Sequence, residues 1–419
     1  MTKPALQVPP PAWIAEPATA ALLRAFAEGG ATVRFVGGAV RDALLGLTGS
    51  RTDIDLATPA APERVIALLG RAGIKTVPTG LAHGTVTAIL GSGPGMPPRH
   101  FEITTLRRDV ETYGRRARVA FDADWAADAR RRDFTINAIY LDPDGTVHDP
   151  VGGLADLEAR RVRFVGDPAL RIAEDVLRIL RYYRFEARFG TGEGNPPARA
   201  ACHAAADLLP TLSPERVTQE LVKLLDGASP VAALRMMAQD GVLAVVLPEA
   251  RRIDRLAQLI ALDPEPDPLL RLSALIEADA DAAAALARRL RLPNAWRERL
   301  AGLAPPWPLE PGADWPAQRH ALYRLGAARY REVALLSAAA GATTAARLAE
   351  LLDVASRSPA PVFPLTGRDV TALGVPPGER VGRLLGELRR WWEESDFAAD
   401  RTQCLAWLKQ LAMSEEDRS

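Results

Sequence analysis

Apolar positions between residues 31 and 107 recur at two periods. In ATVRFV, DIDLAT, KTVPT, GTVTAIL and RHFEITTLR they alternate or form short β-rich blocks, which predicts strands. In AVRDALLGL and APERVIALLGRAG they fall three and four apart, which predicts helices between those strands. The run GSGPGMPP at residues 91–98 has turn chemistry and predicts a hairpin loop between its flanking strands. After about residue 150 the strands largely disappear, and Ala, Leu and Arg at helical spacing continue to the end. Proline-dense breaks fall at 190–198, 262–268, 304–316 and 358–364. No fixed repeat period is present, so a solenoid is not expected. The pattern predicts an α+β head followed by an all-α C-terminal half.

Composition adds bounds rather than detail. A chain of 419 residues is expected to form two to four domains, and 48% apolar with 25% charged residues suits folded cores. Lys+Arg and Asp+Glu balance at 52 each, so no net field draws in a polyanion. Lysine occurs only at Lys3, Lys75, Lys223 and Lys409, and arginine clusters at Arg115, Arg116 and Arg118, at Arg130–Arg132, and at Arg160, Arg161 and Arg163. Such clusters match phosphate through the planar guanidinium fork, and they also describe solvated helix faces. Cys202 and Cys404 make neither a disulfide framework nor a metal-ligand spacing, which fits a reducing cytoplasm. No apolar run approaches the roughly 20 residues of a membrane span, and no secretory leader is expected.

The stretch RFVGGAVRDALLGL, residues 34–47, offers Gly37 and Gly38 and then no glycine until Gly46. That spacing excludes the G-x-G-x-x-G turn of a dinucleotide fold. A strand, two glycines and a helix still bring backbone N–H groups and a positive helix end toward a phosphate, with Arg41 beside them. The same turn also suits tight packing alone. In RTDIDLAT, Asp53 and Asp55 stand two apart on a predicted strand and so share a face. Two such acids repel unless a cation sits between them, and Mg²⁺ prefers a few carboxylates plus substrate phosphates. Two such ions can clamp the attacking and leaving oxygens of a phosphoryl displacement. Glu102, on another predicted strand, either joins that pair as metal ligand or proton acceptor or is an exposed strand residue.

VGGAVRD, DIDLAT, RRDFTINAIYLDPDGTVHDPVGG and EDVLRILRYYRF resemble, in order, the motifs of the bacterial tRNA nucleotidyltransferases that add CCA, a class shared with bacterial poly(A) polymerases. The match covers about residues 31–190, and residues 364–388 are similar to a segment near the family's C-terminus. The resemblance implies a nucleotidyltransferase-type head with a mixed sheet and flanking helices. It implies that Gly37, Gly38 and Arg41 hold the triphosphate, that Asp53 and Asp55 bind Mg²⁺, and that Arg132 and Asp133 contact ribose and phosphates with Asn137 supporting their turn. It makes Asp175 and Arg178 the protein template for the base, with Arg181 and Arg184 at the incoming nucleotide and Glu174 positioning the arginines. Cytosine and adenine both present an amino donor beside a ring-nitrogen acceptor, so an aspartate next to an arginine fits either; guanine and uracil reverse both signs.

Read from periodicity alone, RIAEDVLRILRYYRFEARF is one amphipathic helix with Ile172, Val176, Ile179, Leu180 and Tyr183 toward a core, and Asp175 with Arg178 equally describes an i, i+3 ion pair. RRDVETYGRRARVAF is expected to be a mobile loop that helps the change from C to A. The implied activity is addition of CCA to tRNA from CTP and ATP with release of pyrophosphate, the alternatives being a poly(A) polymerase or an enzyme adding only CC or only A. The partners expected are tRNA, bound by shape and backbone, and the two nucleotides, with no DNA and no membrane. The expected organisation is an N-terminal extension (1–30), a catalytic head (31–150), a helical neck carrying the base-recognition helix (151–225), a helical body (226–357) and an RNA-binding helical tail (358–419).

Overall fold

The alternating blocks of the head pair into one mixed sheet. The computed structural model describes residues 6–47, 53–81, 84–91, 97–113, 116–121, 123–307, 309–357 and 361–416. Packing divides the chain into two compact units, Met1–Pro248 and Glu249–Ser419.

The strands of the first unit are β1 (Leu6–Gln7), β2 (Arg34–Val36), β3 (Ile54–Thr58), β4 (Lys75–Gly80), β5 (Thr85–Leu90), β6 (Arg99–Thr105), β7 (Arg107–Tyr113), β8 (Arg116–Phe121), β9 (Tyr140–Leu141) and β10 (Thr146–His148). Among the described residues, eight of them form a sheet in the order β1-β10-β9-β2-β3-β6-β5-β4. Every pairing is antiparallel except β3 with β6, which is parallel and sets Asp55 opposite Glu102. A parallel pair needs a crossover, and here α3 (Pro62–Arg71) with β4 and β5 supplies it. The α3 stripe Val65, Leu68 and Leu69 is buried, as are Leu22 and Phe26 of α1 (Pro17–Glu28), which packs against α3. α2 (Gly38–Leu44) is separated from the end of β2 by Gly37 alone.

β7 and β8 form a separate two-stranded antiparallel ribbon, where the sequence predicts a loop. Beyond it come α4 (Trp125–Arg130), α5 (Gly153–Glu158), α6 (Pro168–Glu174), α7 (Arg178–Phe189), α8 (Pro196–Ala204), α9 (Pro214–Leu225), α10 (Pro230–Gln239) and α11 (Val242–Val246). The expected single helix over 171–189 is two: α6 ends at Glu174, the next residue Asp175 is extended with φ −153° and ψ 106°, and α7 begins at Arg178. An aromatic core of Phe134, Phe164, Tyr182 and Phe185 ties α7 to the 134–164 bridge, with Phe134 and Phe164 ring centroids 4.9 Å apart.

The second unit is helical: α12 (Ile253–Leu262), α13 (Pro268–Leu275), α14 (Ala280–Arg289), α15 (Asn294–Gly302), α16 (Trp315–Ala339), α17 (Ala345–Arg357), α18 (Gly367–Thr371), α19 (Glu379–Glu394) and α20 (Arg401–Glu416). The expected breaks at 190–198, 262–268 and 304–316 span helix junctions and end in the first turn of the next helix, at Pro196, Pro268 and Pro316, whereas residues 358–360 of the fourth lie outside the described residues. Leu384, Leu388 and Trp392 of α19 with Cys404 and Leu408 of α20 form a core of their own. No helix among the described residues is long and apolar enough to cross a membrane.

Candidate nucleotide site

Sheet register assembles the acids. Asp55 lies between Val36 on β2 and Glu102 on β6, and Asp53 immediately precedes β3, within electrostatic reach of Asp55. Asp53 and Glu102 are exposed and Asp55 is half-buried. Burial, reinforced by Glu102 and Asp53, pushes the Asp55 carboxyl up to about 6, with Arg132 pulling the other way. The register thus places Glu102 beside the pair. Among the described residues no three His, Cys, Asp or Glu side chains converge as a complete metal shell, so a cation here would have to draw further oxygens from its substrate.

The glycine turn abuts these acids. Gly37 has φ 79° and ψ −138°, and a Cβ there would come within 3.3 Å of Asp55 Oδ2. Only glycine adopts this backbone without strain while leaving the carboxylate in place. Gly38 opens α2. Arg41, 5% exposed, points into the protein: its guanidinium donates to Asp42 at 2.7 and 2.8 Å and to Asn137 Oδ1 at 2.6 Å, and it stacks 3.9 Å over Phe189.

From Asn137 the hydrogen bonds continue toward α7. Asn137 donates to Asp133 Oδ1 at 3.1 Å, and Asp133 Oδ2 accepts from Arg181 Nε at 2.9 Å. Although burial opposes it, the Arg181 guanidinium with Asn137 and the Phe134 N–H holds the Asp133 carboxyl well below the usual range. Arg184 donates to Glu220 of α9 at 2.5 Å. Arg132 donates to Asp128 Oδ2 at 3.0 and 3.2 Å.

Asp175 and Arg178 sit at the break between α6 and α7; the Arg178 N–H donates to the Asp175 carbonyl at 3.0 Å, and their side chains pair elsewhere. Asp175 accepts from the Leu177 N–H at 3.1 Å and from Arg216 of α9 at 2.7 Å. Arg178 donates to the Arg171 carbonyl at 2.7 Å and pairs with Glu174. Both remain half-buried, an acceptor and a donor each held from behind.

The sequence reading missed Asp128, Tyr140, Arg216 and Glu220, which hold the expected contact residues in place. Asp128 had a readable signal, since it stands three and four residues before Arg131 and Arg132 on a helix. Arg216 and Glu220 had none, because α9 meets α6 and α7 only through the tertiary fold.

A strand-borne acid pair beside a double-glycine turn, on a mixed sheet joined to a helical neck, defines a nucleotidyltransferase of the polymerase-head type. A family model described as the poly A polymerase head domain matches residues 33–163, and one described as a probable RNA and SrmB-binding site of polymerase A matches residues 195–253. The mitochondrial CCA tRNA nucleotidyltransferase 1 of Danio rerio is 34% identical over 395 residues, covering 90% of this chain and 87% of its own. The CCA-adding enzyme of Geobacillus stearothermophilus is 40% identical over 209 residues, 49% of this chain and 48% of that one. The crystal structure of the Bacillus stearothermophilus CCA-adding enzyme in complex with CTP superposes with a TM-score of 0.72 at 29% identity, covering 96% of this chain and 98% of that one. The chain belongs to the CCA tRNA nucleotidyltransferase family. Its relatives include both vertebrate mitochondrial and bacterial enzymes, so family membership carries no bacterial qualifier.

Proposed function

We propose that this protein completes the 3′ end of tRNA, adding C, C and A from CTP and ATP without a nucleic-acid template and releasing pyrophosphate. The observation that supports this reading is the register of β2, β3 and β6, in which Asp55 pairs with Glu102 and lies against the Gly37 turn, with Asp53 just before β3. The names of its relatives supply the substrate.

Crowded hard-oxygen acids with a raised Asp55 suit Mg²⁺, held by Asp53 and Asp55. When bound, the ion supplies charge neutralisation at the α-phosphate and lowers the barrier to displacement by the tRNA 3′-hydroxyl. Glu102 lies where it can take part in that shell or receive the proton of the hydroxyl. Gly37 and Gly38 admit the triphosphate close to the backbone, and Arg132 balances its charge. Arg41 acts through the turn, bracing α2 against Asn137. Asp133 and Arg181 order the ribose side. At the helix break Asp175 accepts from the amino group of cytosine or adenine while Arg178 donates to the ring nitrogen, with Arg181 and Arg184 completing that wall. A desolvated guanine or uracil would leave both groups mismatched. Positioning and electrostatics suffice, and no covalent nucleophile is required.

We assign catalysis to the 31–150 head and base selection to the 151–225 neck. tRNA contacts are assigned to the helical remainder, above all residues 358–419. The two free, buried cysteines support a reducing compartment such as the cytoplasm. Poly(A) addition is the second reading, favoured by the head-domain match. The test offers the protein a tRNA lacking its last three nucleotides, with CTP and ATP separately and together, and sequences the product ends. Growth by C, C and one A is expected; a long A tail, or arrest after CC or without C, selects an alternative. Asp53→Ala is expected to abolish incorporation while tRNA binding persists.

A further inference from the structure

Asp128 on α4 is 1% exposed yet surrounded by polar partners. Its Oδ1 accepts from Arg131 Nε at 2.8 Å and Nη2 at 2.5 Å. Its Oδ2 accepts from Arg132 Nε at 3.2 Å and Nη2 at 3.0 Å, and from the Tyr140 hydroxyl at 2.7 Å. Although burial opposes ionisation, the two guanidinium groups and the phenol keep this carboxyl below its ordinary range. The Tyr140 ring lies 5.4 Å from the Arg132 guanidinium and is braced edge-on by Trp125 at 5.3 Å. Burial pushes the Tyr140 phenol well above its usual range, so it stays a donor.

This arrangement holds Arg132 by its Nε–Nη2 edge. A guanidinium gripped along one edge is fixed in plane, with its remaining Nη1 donors directed away from the grip. Arg132 is also within electrostatic reach of Asp55. An arginine lacking an acid behind it would turn toward the acids in front and occupy carboxylate oxygens that the site needs free for a cation.

We propose that Asp128 is a positioning residue for nucleotide binding: it grips one edge of Arg132, presents the other to the triphosphate, and keeps Arg132 from pairing with Asp55. Tyr140 locks that grip. The inference rests on the reading of Arg132 as a triphosphate contact.

The test is calorimetric titration of the full-length protein in Mg²⁺, without tRNA, using CTP and cytidine as separate ligands. Asp128→Asn is expected to weaken CTP about tenfold, the scale of one charge-assisted hydrogen bond, and to leave cytidine unchanged. Tyr140→Phe keeps both charges and removes the hydroxyl's hydrogen bonds to Asp128 and from Arg132, so it weakens CTP selectively by about two- to threefold, and it carries the test if Asp128→Asn does not fold. In an Arg132→Ala background, Asp128→Asn should add nothing further. Equal weakening of CTP and cytidine, or full multiplication of the two single effects, overturns the positioning role. If Arg132→Ala alone leaves CTP affinity intact, the triphosphate assignment fails, and this inference with it.

Discussion

At the scale of single residues, Gly37 shows how backbone freedom and site chemistry meet. Its positive φ lies in a region where a side chain costs about 1–3 kcal/mol, and the added Cβ would reach 3.3 Å from Asp55 Oδ2. Gly37→Ala is therefore expected to lower unfolding stability by about 1–3 kcal/mol in urea and to reduce CTP incorporation well beyond what that loss explains. A variant that is destabilised but fully active would show that the turn serves packing alone. The glycine pair and the Asp53/Asp55 alternation were legible because both follow from local periodicity. The adjacency of Glu102 was not, since nothing in a strand's own sequence reports which distant strand pairs with it in parallel. Arg41 marks the same boundary. Its place beside the glycines was readable, but its direction, inward onto Asn137 and Phe189, depends on side chains roughly 100 and 150 positions away.

At the scale of elements, the instructive departure is the break between α6 and α7. Val176 and Ile179 continue the apolar period through Asp175, so periodicity runs on where the backbone does not. The extended Asp175 ends one helix, and its carboxylate accepts the Leu177 N–H at the start of the next, the local bonding that lets Asp interrupt a helix. The ribbon of β7 and β8 escaped for the opposite reason, as an arginine-rich run shows no apolar alternation to count. The far end of α7 carries a different tension. Glu186 is buried against Tyr182, its Oε2 has no hydrogen-bond partner among the described residues, and a Cβ on Gly190 would fall 1.8 Å from that oxygen. Burial pushes its carboxyl from 4.5 up to about 7, against the Tyr182 and Val162 hydrogen bonds and the charge of Arg199. A raised acid favours the fold when protonated, so this contribution is full below pH 4.5 and is lost as pH rises through 7. Glu186→Gln should therefore gain up to roughly 3 kcal/mol over wild type at pH 8 and little at pH 4.5, measured by urea denaturation. An equal gain at both values would mean that the carboxyl does not titrate with folding.

At the scale of the whole molecule, charge has to be followed residue by residue because its sum is zero. Two of the arginine clusters that suggest an RNA surface turn out to neutralise acids inside the head and neck. Arg131 and Arg132 meet Asp128, and Arg161 and Arg163 meet the fully buried Asp156. A neutral chain in which many arginines are paired with acids has to bind a large polyanion through local patches, and binding by shape suits that better than a broad basic field. Arg383, Arg389 and Arg390 on α19 are exposed, and this helix belongs to the segment assigned to tRNA. Amide hydrogen exchange separates the two ligands. CTP with Mg²⁺ is expected to slow exchange at residues 37–41, 133–137 and 175–184 and nowhere in 249–419, because the proposed nucleotide site draws only on the head and neck. tRNA is expected to add protection across 379–394. If CTP slows exchange throughout the second unit, or tRNA leaves 379–394 unchanged, then catalysis and RNA grip are not divided along this chain as proposed.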